Sequence, residues 1–144
     1  MEGKTAVIYY SGTGNTEAMA EAVAVGARRI CPNVVLAAVG DVSADEIGST
    51  CHHIILGCSA WGIEVIEESQ MKPFCEKLKP FLKGKEMGLF GSCGWSRGAW
   101  LNSWGSDLHF AGAHFAAPSV MAYGYPDEEA LKKCEALGEA VSRA

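Results

Sequence analysis

Apolar residues follow two alternating rhythms along the chain. Short, nearly unbroken runs cover residues 5–10, 34–39, 53–57, 87–91 and 115–121. Runs of this kind, without in–out alternation, predict strands covered on both faces. Between them, apolar positions recur at helical spacing. Met19, Ala22, Val23, Gly26 and Ile30 mark one stripe, and Met71, Phe74, Leu78 and Phe81 a second. Leu101, Trp104 and Leu108 mark a third, and Ala130, Cys134, Leu137 and Val141 a fourth. Asp127, after Pro126 and before two glutamates, is the expected N-cap of the last helix. Residues 41–49 carry a weaker pattern that suits a short helix. Trp104 lies on its stripe and is read as core. Trp100 lies off it and is placed at the surface or under the adjoining loop.

Strand and helix alternate five times, which predicts an α/β sandwich around a mostly parallel, five-stranded, doubly wound sheet. Periodicity does not fix the strand order. No linker, repeat or low-complexity tract divides the chain, so residues 1–144 are expected to form one domain. Of the 144 residues 49% are hydrophobic and 20% charged, enough for a packed core. Seventeen acids against 12 bases give a formal charge of -5, which argues against a nucleic-acid partner. No secretory signal is expected at residues 1–5, and no run reaches the roughly 18 residues of a membrane span. The six cysteines form no CxxC pair and are expected to be free, buried thiols. His52 and His53 are adjacent, but no acid or cysteine stands at ligand spacing, so no metal is expected.

In sheets of this class, ligands sit beyond the carboxyl ends of the strands. The loop after the first strand reads Ser11-Gly12-Thr13-Gly14-Asn15-Thr16 and runs into a helix. Two glycines, three hydroxyls, one amide and the N–H groups of a helix start suit an anion held without a cation. An ordinary glycine turn capped by threonine has the same letters. Competing phosphate loops fail on residues. No lysine lies between Lys4 and Lys72 for a Walker loop, and Glu17 stands where a dinucleotide fingerprint needs its third glycine. The acids of a receiver domain and the nucleophilic cysteine of a phosphatase loop do not stand where those chemistries need them.

Residues 11–20, SGTGNTEAMA, resemble the phosphate loop of flavodoxins, especially the short-chain clostridial type. The resemblance extends through residues 57–69, GCSAWGIEVIEES, and 84–95, GKEMGLFGSCGW. It spans essentially the whole chain and implies a flavodoxin-like three-layer sandwich with strand order 2-1-3-4-5, for which this family is itself the standard example. It also implies non-covalent FMN. Residues Ser11, Gly12, Thr13, Gly14, Asn15 and Thr16 would take the phosphate, with help from the Ser59 hydroxyl. The loop of Ala60, Trp61, Gly62, Ile63 and Glu64 would cover the inner face of the flavin, with Trp61 stacked on it and Glu64 accepting from the flavin N3–H. The carbonyl of Gly62 would face the flavin N5 after a peptide flip. The loop of Ser92, Cys93, Gly94, Trp95 and Arg97 would cover the outer face, with Trp95 as the aromatic lid and backbone N–H groups at the pyrimidine edge. No catalytic residue is implied. The chain would shuttle single electrons at low potential between redox proteins, reductases on one side and acceptors on the other. It would do so as a cytoplasmic monomer whose acidity steers basic docking faces.

Three residues of the expected ring loops depart from the family pattern. Relatives tend to carry Asp, Asn or Gly where this chain has Ile63. A β-branched residue forced to positive φ is strained by roughly 1–3 kcal/mol, so the peptide flip is expected to change the spacing of the two one-electron potentials. Arg97 stands in a loop that is more often neutral or acidic, and is expected to favour the reduced, anionic ring. Cys93 replaces a frequent tyrosine. Tyr123, Gly124 and Tyr125 also differ, either as part of a partner surface or as a turn under packed tyrosines. Two other readings compete. An FMN-dependent NAD(P)H reductase would need room for nicotinamide beside the ring, where Trp61 and Trp95 are expected to stand. A non-redox module of the same fold has no use for the phosphate loop.

Overall fold

The computed structural model describes residues 4–10, 14–59, 69–93 and 99–144. Its strands are β1 (Thr5–Tyr10), β2 (Val34–Ala38), β3 (His53–Ser59), β4 (Glu86–Cys93), β5 (His114–Phe115) and β6 (Val120–Tyr123). Its helices are α1 (Asn15–Ile30), α2 (Ala44–Thr50), α3 (Met71–Leu78), α4 (Ala99–Phe110) and α5 (Glu128–Arg143). Every strand pair is parallel, in the order β2-β1-β3-β4-β5, with β6 also on β4. This is the doubly wound sandwich and the strand order that the sequence and the family resemblance imply.

The fifth sheet position differs from the single strand expected over 115–121. β5 pairs with Glu86 and Met87, and β6 resumes at Phe90. Two residues of β4 separate Met87 from Phe90, whereas residues 116–119 separate Phe115 from Val120. The surplus loops out, and Pro118 within it has no N–H to give a ladder. β3 and β4 each run two residues past their predicted ends, which brings Ser59 and Ser92 into the sheet as register partners. Val39, predicted as the last residue of β2, instead opens a 3-10 turn, Val39–Asp41.

Alternate strand residues feed two cores. Ala6, Ile8, Ile54, Leu56, Met87 and Leu89 face α2, α3 and α4, while Val7, Ile55, Phe90 and Val120 face α1 and α5. Burial on both sides explains why the strands read as unbroken apolar runs. Trp104 is buried, as its stripe predicts. Trp100 is buried too, at 7% exposure, and this corrects the surface alternative. Its ring stacks on Trp104 with centroids 6.2 Å apart and planes 19° apart, and lies against Gly91 of β4. One helical turn separates the two indoles, so a residue off the narrow stripe still reaches the sheet near the start of α4.

α1 and α5 meet closely. A Cβ on Gly26 would lie 1.9 Å from the Glu135 carbonyl oxygen, and one on Gly138 would lie 2.1 Å from that of Val23. Only glycine lets two backbones approach so far. Asp127 caps α5 as predicted, its carboxylate accepting from the Ala130 N–H at 2.8 Å. Cys31, Cys51, Cys58, Cys75 and Cys134 are buried thiols outside any disulfide. Burial pushes the Cys75 and Cys134 thiols up to about 12.

Candidate functional site

The sheet presents its carboxyl ends to one side, where β1, β3 and β4 stop and α1 begins. Gly14 precedes α1 at φ 91°, a left-handed conformation, and among the described residues nothing lies within 4 Å of the place a Cβ would occupy. A side chain here would strain the backbone, which explains the glycine at this turn. Its carbonyl accepts the first helical hydrogen bond, from Ala18 at 3.1 Å. Gly14, the N-cap residue, has no side chain with which to cap α1. The donors of this first turn have no partner within the helix, and the helix dipole adds positive potential there.

Three hydroxyls converge beneath this turn. The Thr16 hydroxyl is fully buried, 2.9 Å from that of Ser59 and 2.8 Å from that of Ser92. Ser59 also donates to the Tyr10 carbonyl at 3.5 Å. The three belong to different elements: Thr16 to the first turn of α1, Ser59 to the last position of β3, and Ser92 to the position opposite it on β4. Hydroxyls both donate and accept, so such a cluster adapts to what lies beside it. On the outer side of α1, Tyr9 donates to Glu17 at 3.3 Å. Burial and the neighbouring Glu17 carboxylate raise the Tyr9 phenol above its usual value.

Of the residues singled out from the sequence, the structure therefore brings together Gly14, Asn15, Thr16, Ser59 and Ser92. Ser11, Gly12, Thr13, Ala60, Trp61, Gly62, Ile63, Glu64, Gly94, Trp95 and Arg97 lie outside the described residues, as does the side chain of Cys93. Tyr123 and Tyr125 edge the same end of the sheet at 53% and 70% exposure, with Gly124 at φ 68° between them and Pro126 buried below.

Residues 7–138 match the family model described as Flavodoxin. The chain is 38% identical over 138 residues to the flavodoxin of Megasphaera elsdenii, covering 96% of this chain and 98% of that protein. The chain belongs to the flavodoxin family. The flavodoxin of Clostridium beijerinckii is also 38% identical, over 136 residues, covering 94% and 97%. The solution structure of two-electron reduced Megasphaera elsdenii flavodoxin superposes with a TM-score of 0.87 at 37% identity, covering 97% of this chain and 99% of that one. A flavodoxin from the domain Archaea gives 0.86 at 28% identity, covering 97% and 96%.

Flavodoxins are FMN-binding electron carriers and not enzymes, and this chain is a small electron-transfer protein of that kind. The described residues fit the cofactor. The helix start behind the Gly14 turn and the buried hydroxyl cluster supply neutral donors of the type that hold a phosphate dianion. The reductase alternative is not favoured by these relatives.

Sequence reasoning missed the bond between Thr16 and Ser92, which are 76 residues apart. A signal was present. Gly57-Cys58-Ser59 and Gly91-Ser92 close two adjacent apolar runs at the same register, which in a parallel sheet sets the two serines side by side.

Proposed function

We infer that FMN lies across the carboxyl ends of β1, β3 and β4. Its phosphate sits on residues 11–16 and its ring lies between Trp61 and Trp95. When bound, FMN accepts and releases electrons one at a time, and the chain supplies orientation and electrostatics. Ser11, Thr13, Asn15 and Thr16 donate to the phosphate together with the N–H groups of the glycine loop and of α1. Glu64 accepts at the pyrimidine edge, and Gly62 offers its carbonyl to the ring. Ile63 resists positive φ and Arg97 brings a cation to the ring, so this chain's two potentials differ from those of relatives with Gly and an acid there. The observation that carries the reading is the meeting of Thr16, Ser59 and Ser92 hydroxyls below the start of α1.

The partners are redox proteins. The net charge of -5 favours those with basic docking faces, and exposed Tyr123 and Tyr125 offer them aromatic surface beside the site. The chain works as a monomer in the cytoplasm. The test is reduction of the purified, FMN-loaded chain. We expect a redox-protein donor to reduce it at a rate that falls with salt, and NADPH alone to leave it oxidised. Direct turnover with NADPH would restore the reductase reading. For the departures, redox titration of Ile63→Gly is expected to change the separation of the two potentials, and an unchanged separation would clear Ile63 of strain.

A further inference from the structure

Thr16 has one hydroxyl proton and two hydroxyl neighbours, Ser59 at 2.9 Å and Ser92 at 2.8 Å. It therefore donates to at most one of them. Ser59 donates to the Tyr10 carbonyl. With that proton committed, the Thr16 proton goes to Ser59, and Ser92 must donate to Thr16. The chain of donors then runs from Ser92 to Thr16 to Ser59 to Tyr10. Only one other arrangement frees the Thr16 proton to point outward while keeping both neighbours bonded. Thr16 must then accept from Ser59 and from Ser92 together, which its two lone pairs allow.

Resting on the FMN reading above, we propose that Ser92 is a positioning residue that makes the site selective for a phosphorylated flavin. Ser92 donates to Thr16 in both arrangements, so Thr16 can turn its proton between Ser59 and an anion without losing the bond to β4. Each hydrogen bond into the Thr16 oxygen also polarises its O–H and makes it a better donor. Ser92 is 6% exposed and holds its hydroxyl in the sheet, opposite Ser59. Its contribution passes through Thr16 and reaches the phosphate end of the ligand. The isoalloxazine and ribityl parts should not sense it.

The test compares two ligands that differ only by the phosphate. FMN and riboflavin are titrated into apoprotein of the wild type, Ser92→Ala, Thr16→Val and the double variant, with binding read by quenching of flavin fluorescence. Ser92→Ala is expected to weaken FMN about tenfold and to change riboflavin affinity by less than about twofold. In the Thr16→Val background the same substitution should add nothing further, because the relay is already broken. Ser92→Thr, which keeps the hydroxyl, should restore FMN binding. An equal loss for both ligands, no loss for either, or full additivity with Thr16→Val would overturn the proposal. Should Ser92→Ala not fold, Ser92→Cys keeps the volume with a much weaker donor and carries the same comparison. A wild type that binds neither flavin would instead refute the FMN reading, so the two failures are separable.

Discussion

On one face of the sheet α1 and α5 meet backbone to backbone, and on the other α2, α3 and α4 meet through large side chains. Gly26 and Gly138 set the first contact, while Trp100, Trp104, Phe74 and Met71 fill the second. Each face carries one wall of the site. α1 starts at the turn assigned to the phosphate, and α4 follows the loop assigned to the outer face of the ring. A backbone contact leaves no rotamers to adjust and fixes the phosphate end. Side chains can repack, so the ring end is held by a more forgiving layer.

Gly26→Ala breaks the comparison most severely. Its methyl would meet the Glu135 backbone, which cannot swing aside as a side chain can. We expect a loss of about 3 kcal/mol or more, read by urea denaturation, with FMN affinity falling as α1 shifts. Trp104→Phe, on the other face, should cost only about 1–2 kcal/mol, because the layer repacks around a smaller ring. It also removes the indole N–H that donates to Cys75 at 3.4 Å. Equal losses for the two variants would dissolve the distinction between the faces. Asp127→Ala should cost about 1 kcal/mol through the lost cap of α5, leaving the site unchanged.

The smallest effect concerns one thiol from each face. Cys75 lies on α3 and Cys134 on α5, and burial raises both from 9.0 to about 12. Neither should be alkylated by iodoacetamide in the folded protein at neutral pH, and rapid labelling of either would contradict its burial. The folded state holds these protons more tightly than the unfolded state. The resulting stability is full below pH 9 and declines as pH rises toward about 12. A stability curve flat across that window would contradict the shift.

Much of this division was legible in the sequence, and its gaps have physical causes. The runs of β1, β3 and β4 stood out because burial on both faces leaves no polar interruption. The break at 116–119 did not, because the two alanines before Pro118 and the serine after it suit a strand or a loop equally. The surface alternative for Trp100 failed because a wide apolar face admits residues beside its central stripe. Gly26 stood on the first helical stripe, but the backbone it meets belongs to α5, far away in the sequence. At the site, the resemblance supplied the residues and their roles, and Gly14 showed itself through its turn. The two serines that close adjacent runs signalled their own pairing, but the third hydroxyl, on Thr16 of α1 and 76 residues from Ser92, leaves no local pattern.

The central claim is that this end of the sheet holds one FMN by its phosphate. It is tested most directly by titrating FMN into the apoprotein while recording the visible spectrum and flavin fluorescence. The account predicts uptake of one FMN per chain, with quenched fluorescence and much weaker binding of riboflavin. An apoprotein that leaves the fluorescence of added FMN unchanged would contradict it.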